Sequence, residues 1–204
     1  MKAVAFAAFA ALALIPAVAS ADISIIVGPG NIAGDENVQY NSLSLADNAL
    51  LVQGDTNDTA TIVDFFDAGE TLTTPSSGQA RIEAGDGALT AMSIALHDTS
   101  LSFTSLILNL NADDDGFVTF TVSPVGEASH VETFALDKNG ENFFRIIATN
   151  GESISLVSFT TTVDIEDIKQ VRIGGMAPVP EPASLAALSV GALALLRRKR
   201  RAAK

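Results

Sequence analysis

The residues best suited to chemistry form a short acidic stretch near the middle of the chain. Asn111, Asp113 and Asp115 place oxygen ligands at positions 1, 3 and 5 of a loop, with Gly116 at position 6. Calcium prefers oxygen ligands, and a glycine at that place allows the sharp turn of a calcium loop. Position 12 is Val122, where an EF-hand needs a glutamate, so the stretch is not an EF-hand. Two interpretations stay open: a calcium site completed by distant carboxylates, and a polar hairpin turn.

Two other groups of acidic residues are weaker metal candidates. Asp55 and Asp58 enclose one polar turn, and Asp137, Asn139 and Glu141 enclose another. Asp, Asn and Gly are also favoured in turns because of their backbone preferences. The sequence therefore predicts no cofactor other than this candidate calcium ion.

The chain offers little material for catalysis. His97 and His130 are its only histidines, and it has no cysteine. It has neither a Gly-x-Ser-x-Gly elbow nor a His-Glu-x-x-His pair. It also has no tryptophan and a single tyrosine, Tyr40, so an aromatic platform for sugars is poorly supplied. We therefore predict a protein that is not an enzyme, with an extracellular hydrolase that uses His97 or His130 as an alternative.

The charge is unevenly distributed along the chain. Residues 22–180 carry 23 acidic and 5 basic side chains, a formal net charge of −18. Phosphate backbones and anionic lipid surfaces need cations, so nucleic acid and anionic membranes are excluded as natural partners of this region. Without cysteine, no disulfide supports this exported region, and packing must stabilise it.

The elements that would position these residues are strands. Phe117–Val122 alternates between apolar and hydroxyl side chains, and Asn139-Gly140, Asn150-Gly151 and Gly85–Gly87 resemble hairpin turns. A single helical turn is expected at Asp164–Asp167. The pattern predicts an all-β domain, an antiparallel β-sandwich or jelly roll of about eleven short strands.

Both ends of the chain are typical of targeting segments. Lys2, the apolar run 3–15 and Ala19-Ser20-Ala21 predict a signal peptide over residues 1–21. At the other end an apolar helix is expected over Ala183–Leu196, about 21 Å long and so shorter than the roughly 30 Å core of a bilayer. Five membrane-stop cations follow it: Arg197, Arg198, Lys199, Arg200 and Arg201. They keep that end cytoplasmic and the body of the protein outside.

The tripeptide Pro180-Glu181-Pro182 precedes the apolar run and is expected to be extended, within a linker at 174–182. The order of this tripeptide, the apolar run and the basic cluster resembles the PEP-CTERM sorting signal over about residues 178–201. The resemblance implies that an exosortase recognises Pro180, Glu181 and Pro182 and removes the tail. The stretches 75–83 and 169–173 also resemble uncharacterised ectodomains that carry this signal.

These observations divide the chain into a signal peptide (1–21), a β-sandwich ectodomain (22–176) and a sorting signal (177–204). We expect signal peptidase and exosortase as processing partners, and a transient inner-membrane anchor through the C-terminal helix. The mature protein is then expected at the cell surface or in the extracellular polysaccharide matrix of a Gram-negative bacterium. A structural or adhesive role is favoured, and a calcium-dependent carbohydrate-binding module is the first alternative.

Overall fold

The structure is a computed structural model that describes residues 22–40, 49–67, 69–74, 81–138 and 141–179. These residues form fourteen strands and no helix. The strands are β1 (Ile23–Val27), β2 (Glu36–Gln39), β3 (Leu51–Thr56), β4 (Ile62–Phe66), β5 (Leu72–Thr73), β6 (Arg81–Ala84), β7 (Leu89–Leu96), β8 (Leu101–Ser102), β9 (Ser105–Ala112), β10 (Gly116–Pro124), β11 (His130–Leu136), β12 (Asn142–Ala148), β13 (Ile154–Gly174) and β14 (Ala177–Pro178). The all-β prediction is confirmed, and every strand pair is antiparallel.

Strand β13 connects all parts of the sheet. Its first half pairs with β10 and β7, and its second half pairs with β9 and with β6 and β2. A strand has only two edges, so five neighbours require a long strand, and β13 has 21 residues. The register with β9 shifts between Ile165 and Asp167 and again between Lys169 and Arg172, where Gln170 has a φ of 57°. Such irregularities bend a strand and increase its twist.

The sheet closes on itself. From β13 the pairings run through β2, β3, β4 and β7 and return to β13. This closure is barrel-like, and the predicted sandwich or jelly roll is not confirmed. Two arms extend from β13, one made of β10 and β11 and the other of β9, β12 and β1.

The two arms face each other across an aromatic core. Phe120 of β10 and Phe144 of β12 have ring centroids 4.9 Å apart, although their strands do not pair. Phe134 and Phe159 complete the cluster, at 6.3 Å and 6.0 Å from Phe120. Burying one such side chain contributes about 1.5–3 kcal/mol, and each well-oriented ring pair adds about 0.5–1.5 kcal/mol. The alternation predicted for Phe117–Val122 is confirmed, since Val118, Phe120 and Val122 are fully buried.

Several predicted local features differ from the structure. Asp164–Asp167 is extended and belongs to β13, because β7 and β9 both pair with Ile165. Asn150-Gly151 turns the chain, with φ angles of 56° and 87°, but joins β12 to β13, which do not pair. Likewise β6 and β7 are joined at Gly85–Gly87 without pairing. These turn motifs determine where the chain reverses direction, but packing of the core determines which strands pair.

Candidate functional site

Several predicted targeting elements lie outside the described residues. They are the sorting tripeptide Pro180, Glu181 and Pro182, the predicted tail helix, the cations 197–201 and the signal peptide 1–21. In the part of the chain that the structure describes, no helix has the length and apolar character needed to cross a bilayer. The chain just before the tripeptide is fixed in place, because Ala177 and Pro178 pair with Ser102 and Leu101. The linker expected from residue 174 is therefore partly a strand.

The acidic stretch predicted as a calcium loop connects β9 to β10. These strands do not pair with each other, and both pair with β13, so the stretch is not a hairpin turn. Asn111 donates from Nδ2 to Glu166 Oε2 at 2.7 Å. The Asp113 carboxyl also reaches that of Glu166. The structure thus brings Asn111 and Asp113 to a glutamate on β13 that the sequence pattern did not indicate.

The electrostatics of this cluster follow from two facing carboxyl groups. The pKa of Glu166 is raised, first by its hydrogen bond to the Asp113 carboxyl and then by the repulsion of the Asp113 charge. Asp115 does not join the pair, because its Oδ1 accepts the Lys138 backbone N–H at 2.8 Å. Among the described residues, no group of three or more His, Asp or Glu side chains is arranged to hold a metal ion. The calcium site at Asn111, Asp113 and Asp115 stays a prediction.

The two weaker metal candidates are turns held by neighbouring side chains. Glu36 accepts from Asp58 N at 3.0 Å and from Thr59 N at 2.8 Å. Burial raises the pKa of Glu36, but the hydrogen bonds from Thr59, Thr56 and Asp58 outweigh burial and lower it overall. In the other turn Asn142 accepts from Asp137 N at 2.9 Å, and Asn139 lies outside the described residues. Both arrangements are those of turn stabilisation.

The two histidines have acidic neighbours. His97 Nδ1 lies 3.0 Å from Asp64 Oδ2, and Gln53 donates from Nε2 to Asp64 Oδ1 at 2.7 Å. A proton on Nδ1 would be donated to Asp64, which leaves Nε2 at the exposed side of the ring. His130 Nε2 lies 3.3 Å from Glu132 Oε2 in β11. A histidine and carboxylate pair can position a base, and it needs a nucleophile or a bound substrate to act on.

A groove that the sequence analysis missed lies over β10, β13 and β7. In the pairing registers Thr119 is opposite Thr160, and Thr121 is opposite Ser158, which is opposite Ser93. Opposite residues point to the same side of a sheet, so these hydroxyl groups form rows about 4.8 Å apart. With Phe66 they line a cavity of about 240 Å³, here called the hydroxyl groove. The sequence feature that could have indicated this groove is the alternation of hydroxyl side chains in 117–123 and 156–162.

The floor of the hydroxyl groove carries no charged side chain, although the surrounding region is strongly acidic. The stretches that form its floor, 89–96, 117–123 and 156–162, contain no charged residue. Asp67 stands at its rim, where Oδ1 accepts from Gly69 N at 2.7 Å and Glu70 N at 3.1 Å. Its Oδ2 is buried and has no hydrogen-bond partner. The rim therefore holds an acceptor that lacks a donor.

Tyr40 does not serve as an exposed aromatic platform. Its ring packs against Phe65, with centroids 5.6 Å apart, and burial raises the pKa of its hydroxyl group. The single tyrosine of the chain therefore supports the core.

Comparison with known proteins gives one family match. The chain has no match among curated proteins. The family 29 carbohydrate-binding module CBM29_1 from Piromyces equi is 11% identical, over 76% of this chain and 91% of that chain, with a TM-score of 0.32. A point mutant of CBM29-2 is 12% identical over 79% and 92% of the two chains, with a TM-score of 0.26. These scores are too low to support an argument about this chain.

The family profile of the PEP-CTERM protein-sorting motif matches residues 178–201. This range includes Pro180, Glu181 and Pro182, the apolar run and the five cations, so the predicted sorting signal is confirmed. The chain therefore carries the PEP-CTERM protein-sorting motif, which implies an exported protein that an exosortase sorts to the cell surface.

Proposed function

We propose that the ectodomain is adhesive and holds a polysaccharide chain in the hydroxyl groove, at the envelope or matrix of a Gram-negative bacterium. The observation that carries the proposal is a hydroxyl-lined cavity whose floor holds no charged residue, on a region with a formal charge of −18. Signal peptidase is proposed to remove residues 1–21 before the exosortase acts. The protein would then work by binding and not by catalysis.

The chemistry of the groove suits a neutral sugar. Threonine methyl groups and the Phe66 ring give apolar surface, and the hydroxyls of Thr121, Ser158 and Thr160 can donate or accept. Binding sites are usually apolar with a few placed polar groups, which is this composition. A sugar hydroxyl near the rim would also supply the donor that Asp67 Oδ2 lacks. No cation of the described part of the chain lines this groove, so an acidic polymer would be repelled here by the surrounding carboxylates.

The test is binding of the processed, exported protein to an array of neutral and acidic glycans. The double variant Thr121→Val and Ser158→Ala removes two hydroxyls with little change of shape, and we expect about a tenfold loss of affinity for the neutral ligand, or about 1.4 kcal/mol. The matched control changes Ser123 and Ser155 to Ala, because these serines lie on the same two strands outside the groove. Equal binding by all three proteins would contradict the proposal.

The second candidate function is calcium-dependent binding, which the approach of Glu166 to Asn111 and Asp113 favours. A cation between Asp113 and Glu166 would relieve the repulsion of these carboxylates. Calcium at about ten times its dissociation constant should then stabilise the protein by about 1.4 kcal/mol. Asp113→Asn and Glu166→Gln should each abolish the rise in melting temperature, and Asp114→Asn should not. No rise with calcium in the unchanged protein would dismiss this candidate.

In a protein that only binds its ligand, neither His97 nor His130 has a catalytic role. A hydrolase would need one of them as a base. We expect no turnover on a panel of glycan and ester substrates, and therefore no change when both are replaced by Ala. Turnover that disappears in the His97→Ala variant would establish the hydrolase instead.

A further inference from the structure

We propose that a second, smaller cavity binds a carboxylate group, such as that of an acidic sugar. This arginine pocket is lined by Asn31, Ile107, Phe143, Gln170 and Arg172, with a volume of about 180 Å³. Pockets that enclose a drug-sized molecule measure roughly 300–1,000 Å³, so this one suits a single acidic unit. It shares no lining residue with the hydroxyl groove, and it does not depend on the function proposed there.

Four of the five cations in residues 22–180 lie on the face that carries this pocket. They are Arg81, Arg145, Lys169 and Arg172, and the fifth is Lys138. Ile107 of β9 lies opposite both Arg145 and Arg172. Asn109 follows on the same side of β9 and lies opposite Lys169, which in turn lies opposite Arg81. A strongly acidic domain thus concentrates its positive charge on one surface.

Two of these four cations have carboxylate partners. Arg81 Nε lies 2.8 Å from Glu83 Oε1, and Lys169 Nζ lies 3.7 Å from Asp167 Oδ1. Within the described residues, Arg145 and Arg172 have no carboxylate oxygen within 4.0 Å. Neither arginine forms a close ion pair with a described residue, so both guanidinium groups are available to an external anion.

Arg172 is held by neutral partners. It donates from Nε to Asn37 Oδ1 at 3.0 Å and from Nη1 to Asn31 Oδ1. These bonds orient the guanidinium group without a carboxylate in direct contact. The Asp35 carboxyl interacts electrostatically with Arg172 and accepts a hydrogen bond from Ser105 Oγ at 2.6 Å. Among the described residues, Nη2 of Arg172 makes no hydrogen bond, so it can bind a ligand.

Arg145 lies beside Gly30, in the loop that lines one side of the pocket. A Cβ placed on Gly30 would lie 2.7 Å from Arg145 Nη1, so the absence of a side chain at Gly30 makes room for the guanidinium group. Arg145 Nε is buried and has no hydrogen-bond partner, and neither amide atom of the fully buried Asn109 has one. Buried polar groups are nearly always paired, so the unpaired Nε of Arg145 indicates a missing acceptor beside the loop at Gly30.

The backbone at the pocket is strained. Gln170 has a φ of 57°, a conformation that residues other than glycine, asparagine and aspartate adopt rarely. It lies within the register shift between Lys169 and Arg172 in the pairing with β9. Strained residues of this kind concentrate at binding sites, where the surrounding structure maintains them. Here the strain sets the position of Arg172 relative to the rest of the strand.

A carboxylate suits the groups of this pocket. The planar guanidinium group binds both oxygens of a carboxylate through two parallel hydrogen bonds. Amide groups such as that of Asn31 suit the hydroxyls next to the acid in a sugar acid. The surrounding negative charge acts against the approach of any anion, so the affinity must come from contacts inside the pocket.

The test is a calorimetric titration of the processed, exported protein with glucuronate, and with glucose as the neutral control. We expect saturable binding of glucuronate alone. Arg145→Gln and Arg172→Gln should each weaken it about tenfold or more, a change of about 1.4 kcal/mol. Arg81→Gln is the matched control, because Arg81 lies on the same face with Glu83 as its partner. It should change the affinity by less than about twofold.

Two further measurements make the result decisive. Arg172→Lys keeps the charge and loses the planar fork, so it should weaken binding even where a glutamine variant unfolds. Oligomers of glucuronate that bind more tightly than the monomer would identify a polymer as the source of the carboxylate, and equal affinity would identify a free acid. Absence of glucuronate binding to the unchanged protein, or an equal loss in Arg81→Gln, would overturn the proposal.

Discussion

The backbone N–H of Val179 donates to the carbonyl oxygen of Ser100 at 2.8 Å. Val179 is the residue directly before the sorting tripeptide, and Ser100 precedes β8, which pairs with β14. The ectodomain therefore holds the chain through Val179, the last residue before the sorting tripeptide.

The first prediction concerns this attachment. Val179→Pro removes the N–H that Ser100 accepts, and we expect the free energy of unfolding to fall by about 0.5–1.5 kcal/mol. Val179→Ala keeps the N–H and is the matched control. Urea denaturation of the exported protein measures both. Equal stability of the two variants would show that the attachment contributes nothing.

The second prediction concerns sorting. Glu181→Ala removes the charged residue of the tripeptide that the exosortase is expected to recognise, and the protein should stay uncut in the membrane fraction. Immunoblots of membrane, surface and medium fractions follow the change in mass. Glu141→Ala, an exposed acid of the ectodomain, is the control and should be processed like the unchanged protein. Normal release of the Glu181 variant would contradict the assignment of this residue.

The sequence was sufficient for features that depend on neighbouring residues. The alternation of Val118, Phe120 and Val122 predicted a half-buried strand because side chains alternate between the faces of any strand. The sorting signal was equally readable, since its three parts are contiguous. The left-handed conformation of Asn150 also follows from its type and from Gly151.

Features that depend on distant pairing were not readable. Glu166 meets Asp113 only because β13 runs beside β9, and no local pattern fixes that register. The hydroxyl groove likewise needs Thr121 and Ser158, which are far apart in the chain, on adjacent strands. Asp164–Asp167 was predicted as a helical turn, whereas pairing of Ile165 with two strands keeps it extended.

The third prediction is a pH dependence from Asp113 and Glu166. The pKa of Glu166 is raised in the folded protein above its usual value of 4.5, so the folded state binds this proton more readily than the unfolded state. The stabilisation that the protonated Glu166 carboxyl contributes is then fully present below about pH 4.5, and it is lost as pH rises through the raised pKa. Asp113→Asn removes the repulsion, so the free energy of unfolding of the variant should increase relative to that of the unchanged protein as pH rises.

The size of this gain should be that of an exposed charge pair, under about 1 kcal/mol. Urea denaturation without calcium at about pH 4 and about pH 7 measures it. Asp114→Asn, in the same loop, is the control, because the contacts of Asp114 are to Asp115 N and Lys138. A variant advantage that is the same at both pH values would show that Glu166 does not titrate against Asp113.

The fourth prediction tests why β3 passes through Gly54. A Cβ at this position would lie 2.5 Å from Val38 Cγ1 and 2.9 Å from the Gln39 carbonyl oxygen, so β2 and β3 approach too closely for a side chain. Gly54→Ala should therefore cost about 1–3 kcal/mol, the usual cost of overpacking. Gly69→Ala is the control, since its Cβ would meet only Asp67 Oδ1 at 3.7 Å. Thermal unfolding of the exported protein measures both variants, and a Gly54 variant as stable as the Gly69 variant would mean that β2 can move away from β3 at no cost.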